Sequence, residues 1–172
     1  MSVVLVTPAP SPVTLADAKT HARVDHDDDD ALIGALISAA VSHAQMWCSR
    51  VFGPSVWELS LPAFPNGGIS LPFWPIVSVQ SVAYEDALGL PQTFSGYSLS
   101  NGSVLTGSWP AGASDVVVRF TAGEGFPDDV RHAILLLIGH WYANRESVSE
   151  GSMLEVPLAS TALLDLHRRL FV

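Results

Sequence analysis

Residues 116–141, VVVRFTAGEGFPDDVRHAILLLIGHW, change their hydrophobic period partway along the stretch. From Val116 to Phe120 the residues alternate between two faces, which predicts a β-strand. After Pro127, apolar residues recur at helical spacing on almost every side, which is typical of a helix at the centre of a bundle. We interpret residues 121–127 as a strand-to-helix turn, because a proline and two aspartates favour the first turn of a helix.

A first helix is predicted near the N-terminus, over about 15–24. Thr14 can act as its N-cap, and Asp17 stands where a capping box requires an acidic residue. A second helix should begin near Asp27 or Asp28, because aspartate side chains accept hydrogen bonds from free backbone N–H groups. This helix should run to about Arg50, with an apolar face behind the aspartates.

The aspartates of VDHDDDDALIGALI, residues 24–37, have a second interpretation as metal ligands. Such a site would use Asp25 to Asp30 with His21 or His26, in a small metal-dependent hydrolase. Consecutive residues of a helix fan around its axis by about 100° each, which works against convergence on one ion. Helix capping and solvation are therefore the favoured interpretation, and no metal site is predicted.

The middle of the chain differs in composition and pattern from the two helical ends. Between about 53 and 121, proline and glycine punctuate short segments rich in Val, Ser, Tyr and Trp, which predicts a small antiparallel sheet. A last short helix is predicted from near Ser160 to the end. We therefore predict an α+β fold, mainly α: a small bundle of about four helices, over about 14–50 and 127–171, with a central antiparallel β insert, all in one domain over 1–172.

Composition excludes several functions. The formal net charge of -9 would repel nucleic acid phosphates, so sequence-specific DNA binding is not expected. The single cysteine, Cys48, lies in a helical pattern without a partner spacing for zinc and is interpreted as a buried core thiol. No stretch approaches the roughly 20 apolar residues of a membrane span, which predicts a soluble, cytoplasmic chain. The sequence has no nucleophile and base at catalytic spacing, so we predict no enzyme activity, no catalytic residue and no cofactor.

Several segments together resemble a known family. These are PVTLADAKTHARVDHDDDDALIGALISAAVSHAQMWCSR, LPFWPIVSVQSVAY, VVVRFTAGEGFPDDVRHAILLLIGHWYANRE and VPLASTALLDLHRR. Their order and content are similar to the phage head-tail connector family, also called adaptor or head-completion proteins, of long-tailed phages and gene transfer agents. The resemblance covers nearly the whole chain, and the combination of segments carries it, since the family has no catalytic signature.

The resemblance implies a structural role in the virion neck after assembly in the host cytoplasm. Family members have a helical bundle with a β insert, and their copies form a ring, commonly of twelve, beneath the capsid portal. The ring extends the DNA channel, which DNA crosses without sequence-specific binding, and it offers a platform for the stopper and tail. A C-terminal portal contact is implied, which here corresponds to Leu166, His167, Arg168, Arg169, Leu170, Phe171 and Val172.

An acidic lumen would let DNA slide through such a ring. The residues expected to contribute are Asp25, Asp27, Asp28, Asp29, Asp30, Glu85 and Asp86, although the same acids could instead solvate the outer wall. Two other functions stay open beside the adaptor: a stopper or tail-terminator ring of the same neck, and the metal-dependent hydrolase.

Overall fold

The structure is a computed structural model that describes residues 1–144 and 158–169. The described residues form eight strands and four helices, and strands and helices alternate in four blocks along the chain. In order they are β1 (Ser2–Thr7), α1 (Leu15–Ala22), α2 (Asp30–Cys48), β2 (Ser55–Leu61), β3 (Ile69–Ser70), β4 (Ile76–Glu85), β5 (Pro91–Thr93), β6 (Tyr97–Ser100), β7 (Val104–Gly107), β8 (Ser114–Ala122), α3 (Asp128–Ala143) and α4 (Leu158–Asp165).

The expectation of a mainly α chain is wrong, whereas the α+β class is confirmed. Strands and helices hold comparable numbers of the described residues. One cause is β1, a strand that the sequence interpretation did not assign. Its residues Val3, Val4 and Val6 are β-branched, and Pro8 prevents the segment from continuing as a helix.

The chain divides into two compact units, each built from two separate segments. A β unit contains residues 1–10 and 51–125, and a helical unit contains residues 11–50 and 126–172. The β insert predicted at about 53–121 corresponds to β2 through β8, and the unit gains β1 from the N-terminus. That residues 1–172 act as one domain stays a prediction.

The β unit consists of two antiparallel sheets. The larger has the strand order β1-β2-β8-β4-β5, and the smaller has the order β3-β7-β6. The alternation predicted from Val116 to Phe120 is confirmed, because every second side chain of β8 is buried. On the opposite face, Glu58 of β2 lies directly across from Arg119, and their side chains form an ion pair at 2.9 Å. One face of the larger sheet therefore belongs to the core while the other carries polar groups. The buried core is Leu59, Ile69, Leu71, Val82, Leu105, Val116, Val118, Phe120 and Ala122.

The turn after β8 requires glycine at one position. Gly123 has a φ of +90°, and a Cβ there would collide with the backbone of Gly53. The chain then reaches α3 at Asp128, so the strand-to-helix turn predicted at 121–127 is confirmed. Backbone contact between Gly53 and Glu124 closes the turn against the segment that precedes β2.

Helix α1 begins as the sequence predicts. Thr14 is the N-cap, its hydroxyl oxygen accepts from the Asp17 backbone N–H at 3.1 Å, and the Asp17 carboxylate accepts from the Thr14 backbone N–H at 3.1 Å. The hydrogen bonds from Thr14 lower the pKa of Asp17. The helix ends at Ala22, where Arg23 adopts a left-handed conformation.

Helix α2 begins later than predicted, at Asp30. Its N-cap is Asp29, whose side chain makes no capping hydrogen bond. The predicted aspartate cap at Asp27 or Asp28 is therefore wrong. Tertiary contacts outweigh local capping here, because the Asp29 carboxylate accepts a hydrogen bond from the hydroxyl of Tyr142 at 2.6 Å.

The apolar side of α2 lies in the core of the helical unit. Its buried residues are Ile33, Ile37, Ala40, Ala44 and Cys48. By length and composition alone, α2 could cross a membrane, and it is the single such helix in the described part of the chain. The expectation that no stretch approaches a membrane span is therefore wrong as a statement about length and composition. A core helix of a folded protein passes the same test, and the buried face indicates that role.

Helices α3 and α4 complete the unit. The buried residues of α3 are Val130, Ala133, Ile134, Leu137 and Ile138, which recur at the helical spacing expected from the sequence. Helix α4 begins at Leu158 and ends at Asp165, so the predicted helix from Ser160 to the end of the chain is too long. Leu164 is fully buried and anchors α4 in the core.

Candidate functional site

The described part of the C-terminal candidate segment folds back onto its own unit. The imidazole of His167 donates from Nε2 to the Asp129 carboxylate at 2.7 Å. The hydrogen bond from His167 is the largest cause that lowers the pKa of Asp129 below its ordinary value of 3.8. The Val130 backbone N–H donates to the other carboxylate oxygen at 3.0 Å. Asp129, which the sequence marked as a helix-dipole residue, thus also holds the C-terminal segment.

The end of α2 provides the second attachment of this segment. The indole N–H of Trp47 donates to Asp165 at 2.8 Å, and the guanidinium carbon of Arg168 lies 5.8 Å from the centre of the Trp47 ring. The Arg169 backbone N–H donates to the Cys48 carbonyl at 2.9 Å, which satisfies an acceptor at the helix end. We call residues 165–169, held in this way by α2 and α3, the C-terminal clasp.

Cys48 lies beneath the clasp as a structural thiol. Its side chain is fully buried, and its Sγ donates to the Leu164 carbonyl at 3.3 Å. Burial raises the pKa of this thiol from 9.0 to about 11, so the thiolate is rare at neutral pH. The interpretation of Cys48 as a buried core thiol is confirmed.

The seven residues of the predicted portal contact differ in their surroundings. His167, Arg168 and Arg169 make the contacts described above, while the side chain of Leu166 is 73% exposed. Residues 170–172 lie outside the described part of the chain. An apolar residue presented by a segment that is fixed on both sides is an arrangement suited to protein contact.

The Asp129–His167 contact makes a pH-dependent contribution to stability. Because the folded-state pKa of Asp129 is lowered, the contribution is present above the unfolded-state pKa and disappears as the pH falls through the folded-state value. We expect Asp129→Asn to cost about 1 kcal/mol of unfolding free energy at pH 6 and progressively less as the pH falls below 3.8.

Urea unfolding at a series of pH values measures this difference. Asp128→Asn is the matched control, because the Asp128 side chain is fully exposed and its nearest cation, Arg131, lies 3.9 Å away. A stability difference for Asp129→Asn that stays constant down to pH 2 would show that the Asp129–His167 contact makes no pH-dependent contribution.

The acidic run before α2 is organised by one lysine. Lys19 Nζ lies 2.6 Å from an Asp27 carboxylate oxygen and 2.7 Å from one of Asp30. The hydrogen bond to Asp27 is the main cause that raises the pKa of Lys19, and it also lowers the pKa of Asp27. Asp25 is exposed, and the side chain of Asp28 is almost completely exposed. The run therefore joins α1 to α2 while still presenting carboxylates to solvent.

These contacts bear on the metal interpretation of the run. Two carboxylates bind Lys19, and the Asp29 carboxylate accepts from Tyr142. His26 lies 4.0 Å from carboxylate oxygens of Asp28 and Asp29. In residues 1–144 and 158–169, no three His, Cys, Asp or Glu side chains converge as a metal site would require. The contacts of these aspartates therefore indicate that the run connects α1 to α2.

The two remaining acidic candidates lie in the β unit, at the end of β4. Asp86 shapes the turn to β5, since its carboxylate accepts from the backbone N–H groups of Leu88 and Leu90 at 2.9 and 3.0 Å. These bonds, with one from the Gln92 side chain, lower the pKa of Asp86. Glu85 pairs with Pro91 in the ladder. Asp86 thus has a local structural role besides its charge.

Comparison with known proteins finds one similar family. Residues 12–89 match the family model of phage gp6-like head-tail connector proteins. This match confirms the resemblance found in the sequence. None of the curated proteins matches the chain.

Three solved structures share the fold over the entire chain. A chain from the neck of an empty gene transfer agent particle, computed with C6 symmetry, has a TM-score of 0.76 and 24% identity. One from the virion of a native gene transfer agent particle has a TM-score of 0.76 and 23% identity, and one from the native neck, computed with C12 symmetry, has a TM-score of 0.74 and 23% identity. Each similarity covers 100% of this chain and 97% of the other. At these identities, the comparisons establish the fold.

Proposed function

We propose that the protein is a structural component of a virion neck, where its copies form an adaptor ring between the capsid portal and the stopper or tail. The observation that carries this proposal is the fold, shared over the whole chain with chains of gene transfer agent necks. The match of residues 12–89 to the head-tail connector family model supports it independently. The ring would extend the DNA channel and complete the head for tail attachment, after assembly in the host cytoplasm.

Twelve copies are the proposed number in the ring. Neck particles treated with C6 and C12 symmetry are compatible with this number. The formal charge of -9 per chain would amount to about -108 for twelve copies before counterion screening. We propose that part of this charge faces the lumen and lets DNA slide.

The lumen-facing acids would come from Asp25, Asp27, Asp28, Asp29, Asp30, Glu85 and Asp86. Carboxylates exposed to solvent despite the Lys19 contacts, such as Asp28, support this role. A ring structure that places all of these residues on the outer wall would refute it.

We propose the C-terminal segment, residues 166–172, as the portal contact. The clasp would hold this segment at a defined place, so that Leu166 can enter a pocket of the portal without a large ordering cost. His167, Arg168 and Arg169 then serve mainly to position the segment, since their described contacts are internal.

Mixing the purified protein with the portal of the same particle, and measuring mass by light scattering, tests the adaptor role. We expect a complex with about one chain per portal subunit. Leu166→Lys should weaken portal binding by about tenfold or more, because it places a charge in an apolar contact. Deletion of residues 170–172 should also weaken it, and both variants keep the described clasp. Met46→Lys, at an exposed position of α2, is the control.

A stopper or tail-terminator ring is the second candidate function. Failure to bind the portal at any salt concentration, together with binding to a tail protein, would favour it over the adaptor. The hydrolase remains a minor alternative. Unfolding that is unchanged by a chelator, with no metal in elemental analysis, would remove it.

A further inference from the structure

Among the strands that the structure describes, none pairs with the outer edge of β1, which is apolar. β1 is the terminal strand of the larger sheet and pairs with β2 on one side. Its side chains Val4, Leu5 and Val6 are 58%, 44% and 43% exposed. Natural edge strands are usually short or carry charges and prolines, which discourage pairing with other chains. β1 has six residues without a charge or a proline, and the first charged side chain of the sequence is Asp17. Its pairing with β2 is regular from Ser2 to Leu5 and shifts register between Leu5 and Thr7.

The smaller sheet of the same unit has an edge with similar properties. β6 ends the order β3-β7-β6, and three of its four residues are exposed, including Leu99. No charged residue occurs from Ala87 to Ser114, the stretch that contains it. The other two terminal strands are better protected, because β3 has two residues and β5 has three and begins with proline.

We propose that β1 of one copy pairs with β6 of the next copy and so forms the side-to-side contact of the ring. This inference rests on the proposed ring assembly. A cyclic ring of more than two copies requires two different surfaces that fit one another, and the unit offers two different open edges. Backbone hydrogen bonds between the edges would supply affinity, as in other cases of strand addition.

Charge favours a second copy as the occupant of these edges. Two chains of charge -9 repel one another unless they approach through uncharged surfaces. β1 and β6 each lie in an uncharged stretch of the β unit, residues 1–10 and 87–114. The paired edges would also cover the exposed side chains of Val4 and Val6 in β1 and of Leu99 in β6.

Charge substitutions on the two edges test the contact. Val4→Lys and Leu99→Glu should each raise the concentration needed for half-maximal ring formation by about tenfold or more, and the double variant should recover part of the loss. Leu88→Lys is the control, since Leu88 is 83% exposed in the β4–β5 turn and belongs to neither β1 nor β6. Mass is measured by light scattering with and without the portal, and thermal unfolding checks that each variant folds.

A disulfide provides a second measurement that does not depend on charge. Val6→Cys combined with Ser98→Cys should yield a ladder of covalently linked copies on mild oxidation, while each single variant should stop at a dimer. The buried Cys48 thiol, with its raised pKa, is a poor competitor.

The outcomes separate this inference from the proposed function. Rings formed equally well by the wild type and by folded edge variants, without a disulfide ladder, would overturn the β1–β6 contact and leave the adaptor role intact. A wild-type protein that forms no ring and binds no portal would overturn both.

Discussion

Leu164→Ala is expected to lower the free energy of unfolding by about 2–5 kcal/mol. Leu164 is fully buried in α4, and its carbonyl accepts from the Cys48 thiol. The truncation would leave a cavity at the attachment of α4 and would loosen the clasp that follows it. We therefore expect portal binding to fall together with stability.

Leu166→Ala is the matched control for this prediction, two residues further along the chain. Because Leu166 is 73% exposed, its truncation should change the unfolding free energy by less than about 0.5 kcal/mol. Under the proposed function it should still weaken portal binding. Chemical unfolding followed by circular dichroism gives the stabilities, and equal stability losses for the two variants would contradict the packing described for α4.

Gly123→Ala should destabilise the β unit by about 3 kcal/mol or more. A Cβ at Gly123 would collide with the Gly53 carbonyl and press on Val51, and the φ of +90° is strained for any residue with a side chain. These neighbours are backbone or buried groups, so the turn cannot move aside at small cost.

Gly125→Ala is the comparison, in the same turn. No atom lies within 4 Å of a Cβ placed at Gly125, and its φ is outside the left-handed region that favours glycine. Its stability should therefore stay within about 0.5 kcal/mol of the wild type. Thermal and urea unfolding of both variants measure the difference, and a similar loss for Gly125→Ala would show that the turn is sensitive to any change.

Local patterns predicted the parts of the fold that depend on near neighbours in sequence. The capping box of Thr14 and Asp17, the alternation of β8 and the turn before α3 all involve residues within a few positions of one another. Such features follow from backbone sterics and hydrogen bonding that the sequence displays directly.

Contacts between distant segments account for what the sequence interpretation missed. Asp29 caps no N–H because Tyr142, 113 positions away, binds its carboxylate. The clasp joins Asp129 to His167, and Trp47 to Asp165, with no sequence spacing that would reveal either pair. β1 was missed because its partner β2 lies more than fifty residues later, so a short apolar segment gave no sign of pairing. The proposed function was inferred from the resemblance to connector proteins, because no local group of residues indicates a chemical activity.

Because each unit is built from two separate segments, the β unit is completed late during biosynthesis. Ser2 pairs with Ser60 and Val3 with Leu59, so β1 leaves the ribosome well before the strand that covers one of its sides. Until β2 follows, both sides of an uncharged, valine-rich strand are open to other nascent chains. Since β8 must then insert between β2 and β4, the β unit cannot close before residue 122 has been made. Slow translation or crowded polysomes should therefore favour aggregation through β1, and yield should depend on expression rate more than on final stability.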